Sequence, residues 1–212
     1  MKLNEKEALR YLGFRGKPAD ADTDEMIREI GGEMLRTLTP KCVYKRYDIK
    51  VLENAVELDG WRIESIKLSR HLRGCKAAYL FAATLGLQAD MMIRRLSALN
   101  MARGTVAHSV ANALIEDYCD EMQEQIAEKE AATGLFLKPR YSPGYGDFAL
   151  ENQKEIFARL ECAKRIGLTL TDTMLMVPFK SVTAVIGVTD APTCTYVKCR
   201  GCANTDCEFR EI

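Results

Sequence analysis

Strand-like alternation and helical periodicity occupy separate blocks of this chain and never take turns as strand, helix, strand, which argues against a wound parallel sheet. From Cys42 to Leu58, Val43, Tyr47, Ile49 and Val51 are interleaved with charged residues, and Val56 and Leu58 follow Asn54. This predicts two or three strands, with Asp59-Gly60 as a turn and Trp61, the sole tryptophan, as a core anchor. Ser65 to Arg73 suits a short helix, and the apolar run Ala77 to Thr84, bounded by Gly74 and Gly86, suits a buried strand. A helical block comes next, Ala89 to Leu99 and then roughly 103–133, where Val106, Val110, Leu114, Tyr118, Met122 and Ile126 mark one face. Strands return at 135–139, 168–170, 174–177 and 182–188, around a helix from Glu151 to Ala163. The expectation is an α+β fold, a mainly antiparallel twisted sheet with flanking helices.

Ahead of these blocks lie two helices, about 4–12 and one running to Pro40. Asn4 with Glu7, and Asp22 with Glu25, have capping-box spacing. The chain therefore divides into an N-terminal helical segment (1–40), an α+β core (41–190) and a cysteine-rich end (191–212). With 212 residues, 47% of them hydrophobic, it can bury a sizeable core. Thirty basic residues balance thirty acidic ones, so no positive field favours nucleic acid or an anionic membrane. A small molecule or a protein is the expected partner. No apolar run has the length of a signal peptide or a bilayer span, which predicts a cytoplasmic protein.

Arg140-Tyr-Ser-Pro-Gly-Tyr-Gly146 is the stretch expected to organise the chemistry. Pro143 fixes φ, while Gly144 and Gly146 let the backbone turn sharply and approach a ligand. Arg140 offers a fork of donors suited to a carboxylate, and Tyr141 and Tyr145 offer flat faces with polar tips. An ordinary Pro-Gly turn is the plainer explanation of the same residues. On the long helix, Glu116 and Asp120 share an i, i+4 face without a cation, the pattern of a solvated acidic face. His71 and His108 are the only histidines and are far apart, which disfavours a histidine zinc site or a Ser-His-Asp triad. No Gly-x-Gly-x-x-Gly or Walker loop is present. Of eight cysteines, four lie at Cys194-x4-Cys199-x2-Cys202-x4-Cys207, spacing compatible with one zinc ion, an iron–sulfur cluster, or a reduced tail.

The pattern Arg140-x-x-x-Gly144-Tyr145 resembles the S-adenosylmethionine-binding signature of the activation domain of vitamin B12-dependent methionine synthase. The context is similar too. Ile166-Gly167-x-x-Leu170-Thr171, Met176-x-Pro178 and Ser181-Val182-Thr183 follow in the family's order, and upstream stand Ala83-Thr84-Leu85-Gly86 and Leu114-Ile115-Glu116. The resemblance implies an activation-domain-like core that binds S-adenosylmethionine through Arg140, Ser142, Pro143, Gly144 and Tyr145, with Tyr196 as a second aromatic contact. It implies Glu116 as the catalytic-site glutamate facing the cobalt, and reductive methylation of a cobalamin as the chemistry. No Asp-x-His-x-x-Gly corrinoid-binding segment is found, so the cobalamin belongs to a partner, a methionine synthase or another corrinoid methyltransferase. On this reading the module is a component of that methyltransferase acting in trans, with an electron donor such as flavodoxin or ferredoxin. The alternative is a redox or adaptor protein that docks on a corrinoid protein through the same fold and uses its cysteine cluster.

Overall fold

The computed structural model describes residues 1–14 and 17–191. In chain order the elements are α1 (Glu5–Tyr11), α2 (Ala21–Thr37), β1 (Lys41–Val51), β2 (Ala55–Leu58), β3 (Trp61–Glu64), α3 (Ile66–His71), β4 (Ala77–Thr84), α4 (Leu87–Leu99), α5 (Met101–Ala131), β5 (Phe136–Leu137), α6 (Gln153–Leu160), α7 (Cys162–Ile166), β6 (Thr169–Leu170), β7 (Met176–Val177) and β8 (Ser181–Thr189). Six strands form one sheet in the order β3-β2-β1-β4-β8-β5, every pairing antiparallel, and β6 and β7 form a separate ribbon. The fold is thus α+β, as expected.

Local chemistry explains most boundaries. The Asn4 side chain accepts from Glu7 N (3.2 Å), the cap that the spacing predicts. For α2 the cap is Asp20 rather than Asp22: Asp20 is extended, and its carboxylate accepts from Thr23 N at 2.8 Å. Asn100 caps α5 through Ala102 N (2.8 Å), separating it from α4. The helix expected from Glu151 to Ala163 is interrupted at Glu161, whose φ of 51° is left-handed, so α6 and α7 are distinct. Asp59 and Gly60 both have positive φ (46° and 74°), as a two-residue hairpin between right-twisted strands demands.

β4 is buried along its whole length because helices cover both faces of the sheet. Its side chains alternate between two cores. Ala77, Tyr79, Phe81 and Ala83 pack with residues of α1, α2, α4 and α5, whereas Ala78, Leu80 and Ala82 pack with residues of α3, α6 and α7. Both N-terminal helices share the first core, contributing Ala8, Ile27, Ile30 and Met34. Trp61 is partly buried against the second core, with the Arg159 guanidinium 5.6 Å from its ring centre. No helix among the described residues is long and apolar enough to cross a membrane.

Candidate functional site

Arg140 reaches its position through an irregularity at the sheet edge. β5 pairs Leu137 with Val188, and a regular continuation along β8 would set residue 140 opposite Val185. Instead Tyr141 occupies that place, exchanging both backbone hydrogen bonds with Val185 at 2.9 Å. One extra residue is therefore inserted between Leu137 and Tyr141, a β-bulge, and Pro139, which has no N–H to offer a ladder, lies within it. The bulge shifts the alternation by one. Tyr141 packs against the core of α3, α6 and α7, and Arg140 turns to the opposite face, toward α5.

There the guanidinium meets three acceptors on one side of α5. Nη2 donates to Asp120 Oδ1 (2.6 Å) and Glu116 Oε2 (3.1 Å), and Nη1 donates to Gln123 Oε1 (3.1 Å). The acidic face that lacks a cation in its own helix receives one from the sheet edge. Arg140 is largely withdrawn from water, its side chain 11% exposed, while Glu116 is 33% and Asp120 65% exposed. Its donors, expected to stand open for a ligand, are thus engaged by the protein itself. Nearby, burial and then the Glu116 charge push the Tyr11 hydroxyl up to about 12, and burial holds the Cys119 thiol protonated. A groove of about 590 Å³ runs between α5 and β5, lined by Asp120, Gln123, Glu124, Ala127, Phe136 and Leu137. Two of the arginine's three partners, Asp120 and Gln123, are walls of this groove.

The rest of the turn is held by its own hydrogen bonds. Gly144 N donates to Phe148 O (2.7 Å), Tyr145 N to Ser142 O (3.2 Å) and Phe148 N to Tyr145 O (3.0 Å). The amides of Gly144 and Tyr145, two of the residues through which the resemblance implies S-adenosylmethionine binding, are occupied inside the turn. Pro143 is buried, Ser142 is half-buried and Tyr145 is exposed. Tyr141 stacks on Phe148 and lies 5.0 Å from the His71 ring, whose Nε2 hydrogen-bonds Pro139 O at 2.9 Å. His71 is thus a structural residue of the bulge.

Asp147, to which sequence reasoning assigned no role, clamps the turn to α3. Its carboxylate accepts from Ser65 Oγ (2.5 Å), Ile66 N (2.9 Å) and Lys67 N (3.1 Å). These bonds, led by that from Ser65, hold its pKa below the usual carboxylate range. Gly146 has φ of 63°, and a Cβ there would lie 2.5 Å from Lys67 Cδ and 2.8 Å from the Tyr141 hydroxyl.

One helical turn before Glu116, Asn112 accepts from Lys180 Nζ at 2.7 Å. Lys180 is buried, and burial lowers its pKa while the Asp90 charge acts in the opposite sense. Asp90 Oδ2 accepts from Phe179 N (2.8 Å), and its Oδ1 is buried with no protein partner. These residues tie the segment before β8 to α4 and α5. Only a lysine inside an apolar stretch signalled them in the sequence.

Tyr196 and the expected metal ligands Cys194, Cys199, Cys202 and Cys207 lie outside the described residues. Among the described residues no group of three or more His, Cys, Asp or Glu side chains is placed to hold a metal ion.

Comparison with known proteins agrees with this architecture. None of the curated proteins matches the chain. Among solved structures it is similar to one titled "Crystal Structure of the MetH Reactivation Domain bound to AdoHcy", with a TM-score of 0.60 and 18% identity over 89% of this chain and 67% of that one. At that identity the likeness is one of fold. The sequence profile described as "Vitamin B12 dependent methionine synthase, activation domain" matches residues 73–208, a span holding the Arg140 bulge, the acidic face of α5, β8 and all four C-terminal cysteines. The chain therefore belongs to the family of vitamin B12-dependent methionine synthase activation domains.

Proposed function

We propose that this protein binds S-adenosylmethionine beside Arg140 and serves, as a separate module, the reactivation of cobalamin carried by a methionine synthase or another corrinoid methyltransferase. The carrying observation is the bulge-directed Arg140 guanidinium, shielded from water and flanked by two carboxylates, one of which, Asp120, lines a groove, within a chain of this family. Charges of both signs set side by side complement an α-amino acid end. Arg140 suits the carboxylate in a two-pronged contact, and Glu116, the less exposed acid of the pair, suits the ammonium. Tyr145, exposed at the turn, offers an aromatic face to the remainder.

S-adenosylmethionine supplies a methyl group which, with one electron from an external reductant, restores the partner's inactive cobalamin. This chain's contribution is positional: fixing the amino-acid end at Arg140 removes translational and rotational freedom from the methyl donor before it meets the metal. The solved neighbour is named as bound to AdoHcy, which favours the same ligand class here.

Calorimetric titration with S-adenosylmethionine tests the binding step. Wild-type protein is expected to bind and Arg140→Ala to lose measurable binding; equal binding by both overturns the assignment. The trans role is read separately, as restored turnover of an oxidised, cobalamin-bearing methyltransferase lacking its own activation module, given the protein, S-adenosylmethionine and a reductant.

A further inference from the structure

The free protein already holds a carboxylate where a ligand carboxylate has to go. Asp120 Oδ1 makes the shortest contact to Arg140, 2.6 Å to Nη2, and Glu116 shares that nitrogen at 3.1 Å. An incoming carboxylate directed at Nη2 would stand against Asp120, like charge against like at hydrogen-bond range. Asp120 and Glu116 differ in their freedom to leave. Asp120 is 65% exposed and can return its charge to water at small cost, whereas Glu116 is 33% exposed. Arg140 itself cannot be left alone, because a guanidinium only 11% exposed is strongly penalised without an acceptor.

We propose that Asp120 is the exchangeable counter-ion of Arg140: it pairs with the arginine in the free protein and swings into the groove when a carboxylate-bearing ligand arrives. The exchange makes Asp120 a specificity-determining residue. A ligand with a carboxylate replaces the contact it displaces, but one without has nothing to exchange for Asp120 and gains no contact with Arg140, so selection falls on the amino-acid end. This rests on the reading that Arg140 receives the ligand carboxylate.

The test compares Asp120→Asn with wild type, Arg140→Ala and Asp117→Asn in calorimetric titrations, using S-adenosylmethionine and its decarboxylated analogue as probes. Asp117 removes the same charge from the same helix, but its carboxylate accepts from Lys2 N and does not touch Arg140. Asp120→Asn is expected to tighten S-adenosylmethionine binding by roughly two- to fivefold, the scale of releasing one exposed ion pair. The decarboxylated probe should gain nothing, and Asp117→Asn should match wild type. Unchanged or weaker binding by Asp120→Asn, while Arg140→Ala still abolishes binding, overturns the exchange and leaves the Arg140 assignment standing. Equal tightening in Asp117→Asn, or with the decarboxylated probe, shows a general charge effect and also overturns it. Binding indifferent to Arg140→Ala, or absent from wild type, removes the underlying assignment and the exchange together.

Discussion

Gly146→Ala probes how tightly the turn that carries Arg140 is seated, because its cost divides into two parts with separate origins. The first is backbone strain: Gly146 has φ of 63°, where an L side chain costs about 1–2 kcal/mol. The second is steric. An alanine Cβ would lie 2.5 Å from Lys67 Cδ and 2.8 Å from the Tyr141 hydroxyl. Lys67 is a flexible chain and yields cheaply, but Tyr141 is packed against His71 and Phe148 and bridges Val185 through its backbone. Moving it is an overpacking problem worth about 1–3 kcal/mol. Gly167→Ala supplies the reference, since Gly167 has nearly the same φ, 68°, with nothing within 4 Å of the added carbon. Denaturant unfolding should therefore show a loss of about 1–2 kcal/mol for Gly167→Ala and about 2–5 kcal/mol for Gly146→Ala. At about 2–4 °C per kcal/mol for a chain of this size, thermal melts should separate the two variants. Because Tyr141 adjoins Arg140, Gly146→Ala should also weaken S-adenosylmethionine binding, and Gly167→Ala should leave it alone. Equal destabilisation by the two would refute the seating of the turn against Tyr141.

Tyr79→Phe removes the hydroxyl that donates to Glu130 Oε1 at 2.6 Å, leaving that carboxylate, 7% exposed, with Arg46 at 3.2 Å. A loss of about 1–2 kcal/mol in denaturant unfolding is expected, and a cost near zero would show that the bond is not formed in solution. Burial lowers the pKa of His71, with the Pro139 hydrogen bond opposing and the Lys138 charge adding. The folded protein thus favours the neutral ring, so this contribution is complete above about pH 6.5 and is lost as pH falls from there through the folded value. His71→Gln should accordingly flatten the decline in unfolding midpoint between about pH 7.5 and pH 5.5, and an unchanged slope would assign the decline to other groups. Anaerobically purified protein is expected to carry one metal centre on Cys194, Cys199, Cys202 and Cys207, detected by metal analysis and sorted into zinc or iron–sulfur by its visible spectrum. Equal metal content after replacing all four with serine removes that assignment.

Much of the scaffold was legible because local and global signals agreed. The alternation from Cys42 to Leu58 appears as β1 and β2, the Asp59-Gly60 signal is the hairpin turn, and the run Ala77 to Thr84 matches β4 to the residue. β4 shows why apolar runs need tertiary context: every residue is buried, so only the structure reveals which side chains face α5 and which face α6. The interruption at Glu161 was hidden for a different reason. A non-glycine residue in the left-handed region carries no compositional mark, and the flanking apolar spacing continues through it as though one helix ran on.

Arg140 shows why the motif was readable and its surroundings were not. Glu116 and Asp120 look unpaired by helical spacing because their cation comes from 24 and 20 residues further along, across the edge of the sheet. The local hint was Pro139, which cannot donate to a ladder and so marks an edge or a bulge, and a one-residue bulge decides which face the next side chain takes. Without that shift Arg140 would project toward α3 and α6, and the acidic side of α5 would stay without a cation. A guanidinium held out of water where an amino-acid carboxylate can reach it cannot wait unpaired in the free protein. On the proposed reading the acidic residues of α5 are therefore as much a part of the ligand site as the arginine: they orient and shield Arg140 in the free protein, and the most exposed of them, Asp120, is the one a ligand carboxylate would replace.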